Sequence, residues 1–237
     1  MTDTPSVHVG AFHTTRWSLV ERLSDPASEQ EAAADLARAY WPAIYSFFRS
    51  RGMDPDGAGD ATQGFFADVV LGRSLFHGAD RTQGRLRAWI LASLKNYTVD
   101  LARRKAVRRT FDLLRADVAD VHIEDDPARA FDKAWAAAVV KEATRRCERH
   151  FESGGKRPHW SAFEARVLQP SLAQTHPREL RVLADELGFA GAPDVAAAVQ
   201  VVRKRLLAIL AEVVAETVAG DAADADAELR HVRALLA

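Results

Sequence analysis

The sequence predicts an all-α protein, and three observations carry that expectation. Apolar residues recur at spacings of three and four through most of the chain, the signature of helices with one buried face. Alanine, the strongest helix former, is abundant, and β-branched runs are few. Glycine and proline fall mostly between the periodic segments, where they punctuate helices. The 237 residues suffice for one large domain or two small ones, each able to bury a core. Apolar residues at 48% and charged residues at 27% are ordinary for a soluble globular protein.

Each element can be justified in order. Residues 1–13 show no periodicity, and a short helix begins near Thr15, carries Trp17, Leu19, Val20 and Leu23, and stops at Asp25-Pro26. A helix over about 29–51 has the stripe Ala33, Leu36, Ala37, Tyr40, Ile44, Tyr45 and Phe48, with a kink or break expected at Pro42. A third, over about 55–71, turns Ala61, Phe65, Phe66, Val69 and Val70 inward and leaves Asp60 and Gln63 together on the other side. The long helix over about 84–108 buries Leu86, Ile90, Leu94, Tyr97 and Leu101. Its second face is Trp89, Ser93, Asn96, Asp100 and Arg103 or Arg104.

Periodicity fades over 110–130, where Asp112, Asp117, Asp120, Glu124, Asp125 and Asp126 make an acidic linker ending near Pro127. Beyond it, Phe131, Trp135, Val139 and Ala143 stripe a helix to about Phe151, and Trp160, Phe163, Val167 and Leu168 stripe another to Pro170. Residues 178–218 have helix–turn–helix proportions, with Gly188 opening the turn and Asp194 as N-cap of the second helix. An acidic tail over 219–237 closes with a short helix from Glu228 to Leu236.

Charge is segregated along this chain of net charge −1. From Arg81 to Arg109 the cations are Arg81, Arg85, Arg87, Lys95, Arg103, Arg104, Lys105, Arg108 and Arg109, opposed only by Asp100. A polyanion-facing surface, most simply for nucleic acid, is the functional reading; a solvated face is the bland one. The eight histidines lack i, i+4 pairing, Glu124-Asp125-Asp126 reads as solvated linker, and Gly154-Gly155-Lys156 lacks the rest of a phosphate loop. Cys147 and His150 lie three apart with no third catalytic partner. The expectation is therefore a non-enzyme with no metal and no cofactor. No apolar stretch approaches the roughly 18 residues of a membrane span, and the start MTDTPSVHVGAFHTTRW does not read as a signal peptide. The single cysteine fits a reducing compartment, so a cytoplasmic location is expected.

Several motifs, taken together and in order, carry a resemblance. They are Thr15-Arg16-Trp17, YWPAIYSFFRSRG, DATQGFFADVV, GRLRAWILASL, AETV (215–218) and the tail Ala227-Glu228-Leu229-Arg230. The chain resembles the extracytoplasmic-function class of sigma factors in the sigma-70 family, in particular a subgroup with a TRW start and an acidic ELR-containing tail. That resemblance implies a sigma region 2 over 29–109, preceded by an extension over 1–28. It implies the linker over 110–130, a region 4 with its helix–turn–helix over 131–218, and the tail over 219–237.

It also implies bacterial core RNA polymerase and promoter DNA as partners, with an anti-sigma factor or other regulator as a further one. Asp60, Gln63 and Asp68 then dock on the polymerase. Phe76, His77 and Arg81 lie in the loop that captures a base flipped from the −10 element, where stacking and edge hydrogen bonds offset the cost of extrusion. Arg85, Trp89, Lys95 and Asn96 join them on the −10 strand, and Arg103, Arg104 and Lys105 hold phosphates without reading sequence. In the helix–turn–helix, Gln200 is the candidate reader of −35 bases, with Arg203, Lys204 and Arg205 on phosphates. One departure stands out: Ala196, Ala198 and Val201 occupy positions where polar or basic groups are expected. A second reading follows from it, a sigma-like adaptor whose C-terminal domain binds a protein partner instead of DNA.

Overall fold

The computed structural model describes residues 22–23, 25, 27–72, 85–111, 126–218 and 222–236, with the backbone alone over 104–111. Every regular element among them is helical. The chain divides into two compact units, Met1–Ala134 with Ala215–Ala225, and Trp135–Val214 with Asp226–Ala237.

In the first unit, α1 spans Glu29–Ser50 and buries Leu36, Tyr40, Ile44, Phe47 and Phe48. It passes through Pro42 as one helix, where the sequence leaves room for a break. Pro42 is exposed, so its ring faces solvent, and the buried residues on both sides hold the two halves together. Gly52, at φ 81°, ends the helix, its N–H donating to the Arg49 carbonyl at 3.0 Å.

Helix α2, Pro55–Phe65, starts with proline at its first turn, and the Asp54 carboxylate accepts the Gly57 N–H at 2.6 Å. The expected helix to about residue 71 is present, but its last part, Phe66–Leu71, is π-helical. That wider turn lets the adjacent pairs Phe65 and Phe66, and Val69 and Val70, all point inward. Helix α3, Leu86–Phe111, buries Leu86, Ile90, Leu94 and Tyr97, whereas Leu101, expected on the same stripe, is only half-buried. The Tyr97 ring meets Phe48 edge-on at 6.3 Å and Phe65 at 5.6 Å, so one aromatic cluster ties α1, α2 and α3 together.

Helix α4, Pro127–Ser153, starts within the expected linker: Asp126 caps it by accepting the Ala128 N–H at 3.0 Å. Most of the remaining linker, 112–125, lies outside the described residues, as does most of the helix expected from Thr15. Asp132 of α4 meets Arg87 at 2.5 Å, and Arg87 is 7% exposed. Arg87 is thus an internal ion-paired residue and no part of a polyanion-facing surface.

The second unit is built on α4 residues Trp135, Val139, Ala143, Cys147 and Phe151, one every fourth position on a single buried face. Helix α5, Arg157–Phe163, continues as a π-helical stretch, Glu164–Leu168, and as α6, Gln169–Ala173. The sequence stops this segment at Pro170; the chain stays helical three residues further, with Pro170 buried. Val167 and Leu168 are only half-buried.

Helix α7, Leu180–Leu187, starts two residues later than the sequence suggests and ends at Gly188, φ 74°. Helix α8, Ala192–Ala215, begins before Asp194, whose own N–H already bonds the Gly191 carbonyl at 3.1 Å. Asp194 therefore supports α8 through the positive end of its dipole and is not the N-cap. The helix stops at Ala215 because Val218 is in an isolated antiparallel bridge with Arg85, and the Thr217 carbonyl accepts the Leu86 N–H at 3.4 Å. Helix α9, Ala222–Leu236, starts six residues before Glu228: the acidic tail is itself largely helical, and Asp224 sits favourably in its first turn.

Candidate functional site

Helix α2 presents Asp60 and Gln63 to solvent while Ala58, Thr62 and Phe65 hold its other side in the core. Thr62 is buried without cost because its hydroxyl donates to the Ala58 carbonyl at 2.7 Å. Asp68, one turn further in the π-helical stretch, is half-buried and engaged with neighbouring groups. Asp60 and Gln63 are thus exposed polar groups of α2, which also exposes Asp56 in its first turn, and Ala67 is exposed in the stretch that follows.

On α3, Asn96 and Arg103 are exposed, and Trp89, Ser93 and Asp100 are half-buried. Ser93 donates to the Trp89 carbonyl at 3.0 Å, which removes its hydroxyl from the candidate readers. Next to this face lies an open concavity of about 590 Å³ lined by Arg51, Lys95, Thr98, Val99, Ala102 and Arg103. Thr98 donates to the Leu94 carbonyl at 2.7 Å, leaving its methyl group for the floor beside Val99 and Ala102. Val99 is 51% exposed.

Lys95 and Arg103 therefore line one concavity, with Asn96 next to Lys95 on the same helix. Arg51, from the C-terminus of α1, joins them although the sequence does not group it with them. The signal for it was a cation directly before the helix-ending Gly52. Its guanidinium lies 6.0 Å from the centre of the Phe47 ring, which steers the side chain along its own helix. Arg85 is half-buried, its backbone paired with Val218. Phe76, His77 and Arg81 fall outside the described residues, and so do the side chains of Arg104 and Lys105.

In the second unit, Gln200, Arg203 and Lys204 are exposed on α8. Arg205 turns differently: it pairs with Glu212 at 3.4 Å, and its Nε is enclosed with no acceptor. Of the three residues that depart from expectation, Ala198 is buried and Ala196 half-buried, so both serve the core. Only Val201, 50% exposed, puts an apolar group where a polar one is expected, and Leu207 and Val182 add further exposed apolar surface.

Cys147 is fully buried with Sγ 4.0 Å from the Val202 carbonyl, whereas His150 is exposed. Burial pushes the Cys147 thiol up to about 11, with Arg205 pulling weakly the other way. No group of three or more histidine, cysteine, aspartate or glutamate side chains suited to a metal occurs among the described residues. Nor is any described helix long and apolar enough to cross a membrane.

Compared with protein-family models, with curated proteins and with solved structures, the chain finds no match in any of the three.

Proposed function

We propose that this chain is a promoter-recognition subunit of the extracytoplasmic-function sigma class, a cytoplasmic non-enzyme that acts on promoter DNA when bound to bacterial core RNA polymerase. The observation that carries the reading is the division of labour within the first unit. A single aromatic cluster fixes an exposed acid–amide pair on α2, suited to a basic protein partner, and a cationic, apolar-floored face on α3, suited to a nucleic-acid strand. Asn96 is the exposed amide on α3 able to read a base edge, while Lys95 and Arg103 neutralise phosphates. In the second unit, Gln200 on α8 is the candidate reader of a −35 element, with Arg203 and Lys204 on the backbone. The residues over 112–125 serve as the acidic connector between the two functions.

The test is capture of the purified chain by core polymerase. Asp60→Lys should abolish capture while the thermal unfolding midpoint stays unchanged, because Asp60 is exposed. Undiminished capture by that variant would remove α2 from the interface. An adaptor whose second unit binds protein is the alternative, favoured by the exposed Val182, Val201 and Leu207. On that reading, replacing Gln200 and Arg203 leaves promoter use unchanged.

A further inference from the structure

We infer that Arg51 is a third backbone anchor for single-stranded nucleic acid, completing from α1 a sequence-independent cradle that α3 alone leaves one-sided. The inference rests on the nucleic-acid reading of α3 and adds to it a residue from α1.

Lys95 and Arg103 are eight residues apart on α3, so their backbone origins are separated by about 12 Å along the axis at 1.5 Å per residue. Cations spread over that length, with Arg51 of α1 lining the same concavity, match successive charges on a polymer. The floor selects further. Val99 and Ala102 present carbon, and the only hydroxyl, that of Thr98, is consumed by the Leu94 carbonyl. Such a floor has no group with which to read a base edge, but it packs against sugar or base faces. Those faces are accessible on a single strand and hidden by stacking in a duplex. The Arg51 guanidinium lies 6.0 Å from the centre of the Phe47 ring on its own helix.

The test uses the full chain alone, so that it does not depend on polymerase binding. A short fluorescein-labelled single-stranded DNA of mixed sequence is titrated by anisotropy at several salt concentrations. Each lost phosphate contact on a single strand lowers the slope of log K against log salt by about 0.7. Arg51→Gln should therefore flatten the slope by that amount. Between roughly 50 and 200 mM salt the wild-type chain should lose about 2.5-fold more affinity than the variant. Arg51→Lys, which keeps the charge, should restore the wild-type slope, an outcome that a merely structural role for Arg51 would not give. An unchanged slope in Arg51→Gln overturns the inference. So does equal affinity for the matching duplex or for an acidic polypeptide, and so does a wild-type chain that binds no single strand at low salt. Loss of core-polymerase capture with these slopes intact would instead sink the sigma reading and leave the cradle standing.

Discussion

Gly64 offers a test of how closely α2 is seated on α3, and thus of how Asp60 and Gln63 are aimed. A Cβ added at Gly64 would lie 2.5 Å from the Tyr97 hydroxyl and 3.8 Å from its Cζ. Replacing a helical glycine by alanine normally stabilises by about 0.8–1.0 kcal/mol. Here the new methyl must push a tyrosine that is 3% exposed and wedged between Phe48 and Phe65, and overpacking of this kind costs about 1–3 kcal/mol. The clash outweighs the propensity, and Gly64→Ala should destabilise by about 1 kcal/mol net, or about 2–4 °C in a chain of this size. Gly59, on the same helix, has nothing within 4 Å of its added Cβ, so Gly59→Ala should stabilise by about 0.5–1 kcal/mol. Thermal and urea unfolding of both variants decides the matter. Combining Gly64→Ala with Tyr97→Phe removes the clashing oxygen, and the double-mutant cycle should show favourable coupling between the two changes. If Gly64→Ala stabilises as much as Gly59→Ala does, the α2–α3 packing described above is wrong.

Two further predictions concern the second unit. Burial pushes the Glu142 carboxyl up, but hydrogen bonds and charge from Arg145 and Arg146 outweigh that effect and hold it at about 2, below the ordinary 4.5. A depressed folded-state value stabilises the protein above the unfolded value, and that contribution is lost as pH falls from about 4.5 toward 2. Glu142→Gln should flatten the pH dependence of unfolding in that window, and an identical profile would count against the pairing. The rise of the Cys147 thiol from 9.0 to about 11 cuts its thiolate fraction about 100-fold at neutral pH. Iodoacetamide should therefore label the native chain far more slowly than the urea-unfolded one, whereas comparable rates would show Cys147 to be open.

The helical fold was legible because burial repeats in the sequence itself: Leu36, Tyr40, Ile44 and Phe48 on α1, or Leu86, Ile90, Leu94 and Tyr97 on α3, need only their spacing. What a spacing argument misses is set by residues distant in the chain. Arg87 counts as one more cation in a basic run until Asp132 of α4 closes on it. Arg51 is an ordinary helix-end arginine until α3 passes beside it. Ala198 looks like a missing DNA contact until the packing of α8 turns it into the core. The same limit applies to the helix ends: α8 stops where Val218 pairs with Arg85, more than one hundred residues earlier in the chain. Asp60, Gln63, Asn96 and Gln200 were legible as surface residues because polar groups off an apolar stripe have nowhere else to go, and all four are exposed.

Run-off transcription from a genomic fragment library, with purified core polymerase in the presence and absence of the chain, tests the central claim most directly. Defined start sites should appear only when the chain is present. They should shift or weaken with Asn96→Ala, which leaves core capture intact. Core polymerase that captures the chain yet yields no start sites would contradict promoter recognition.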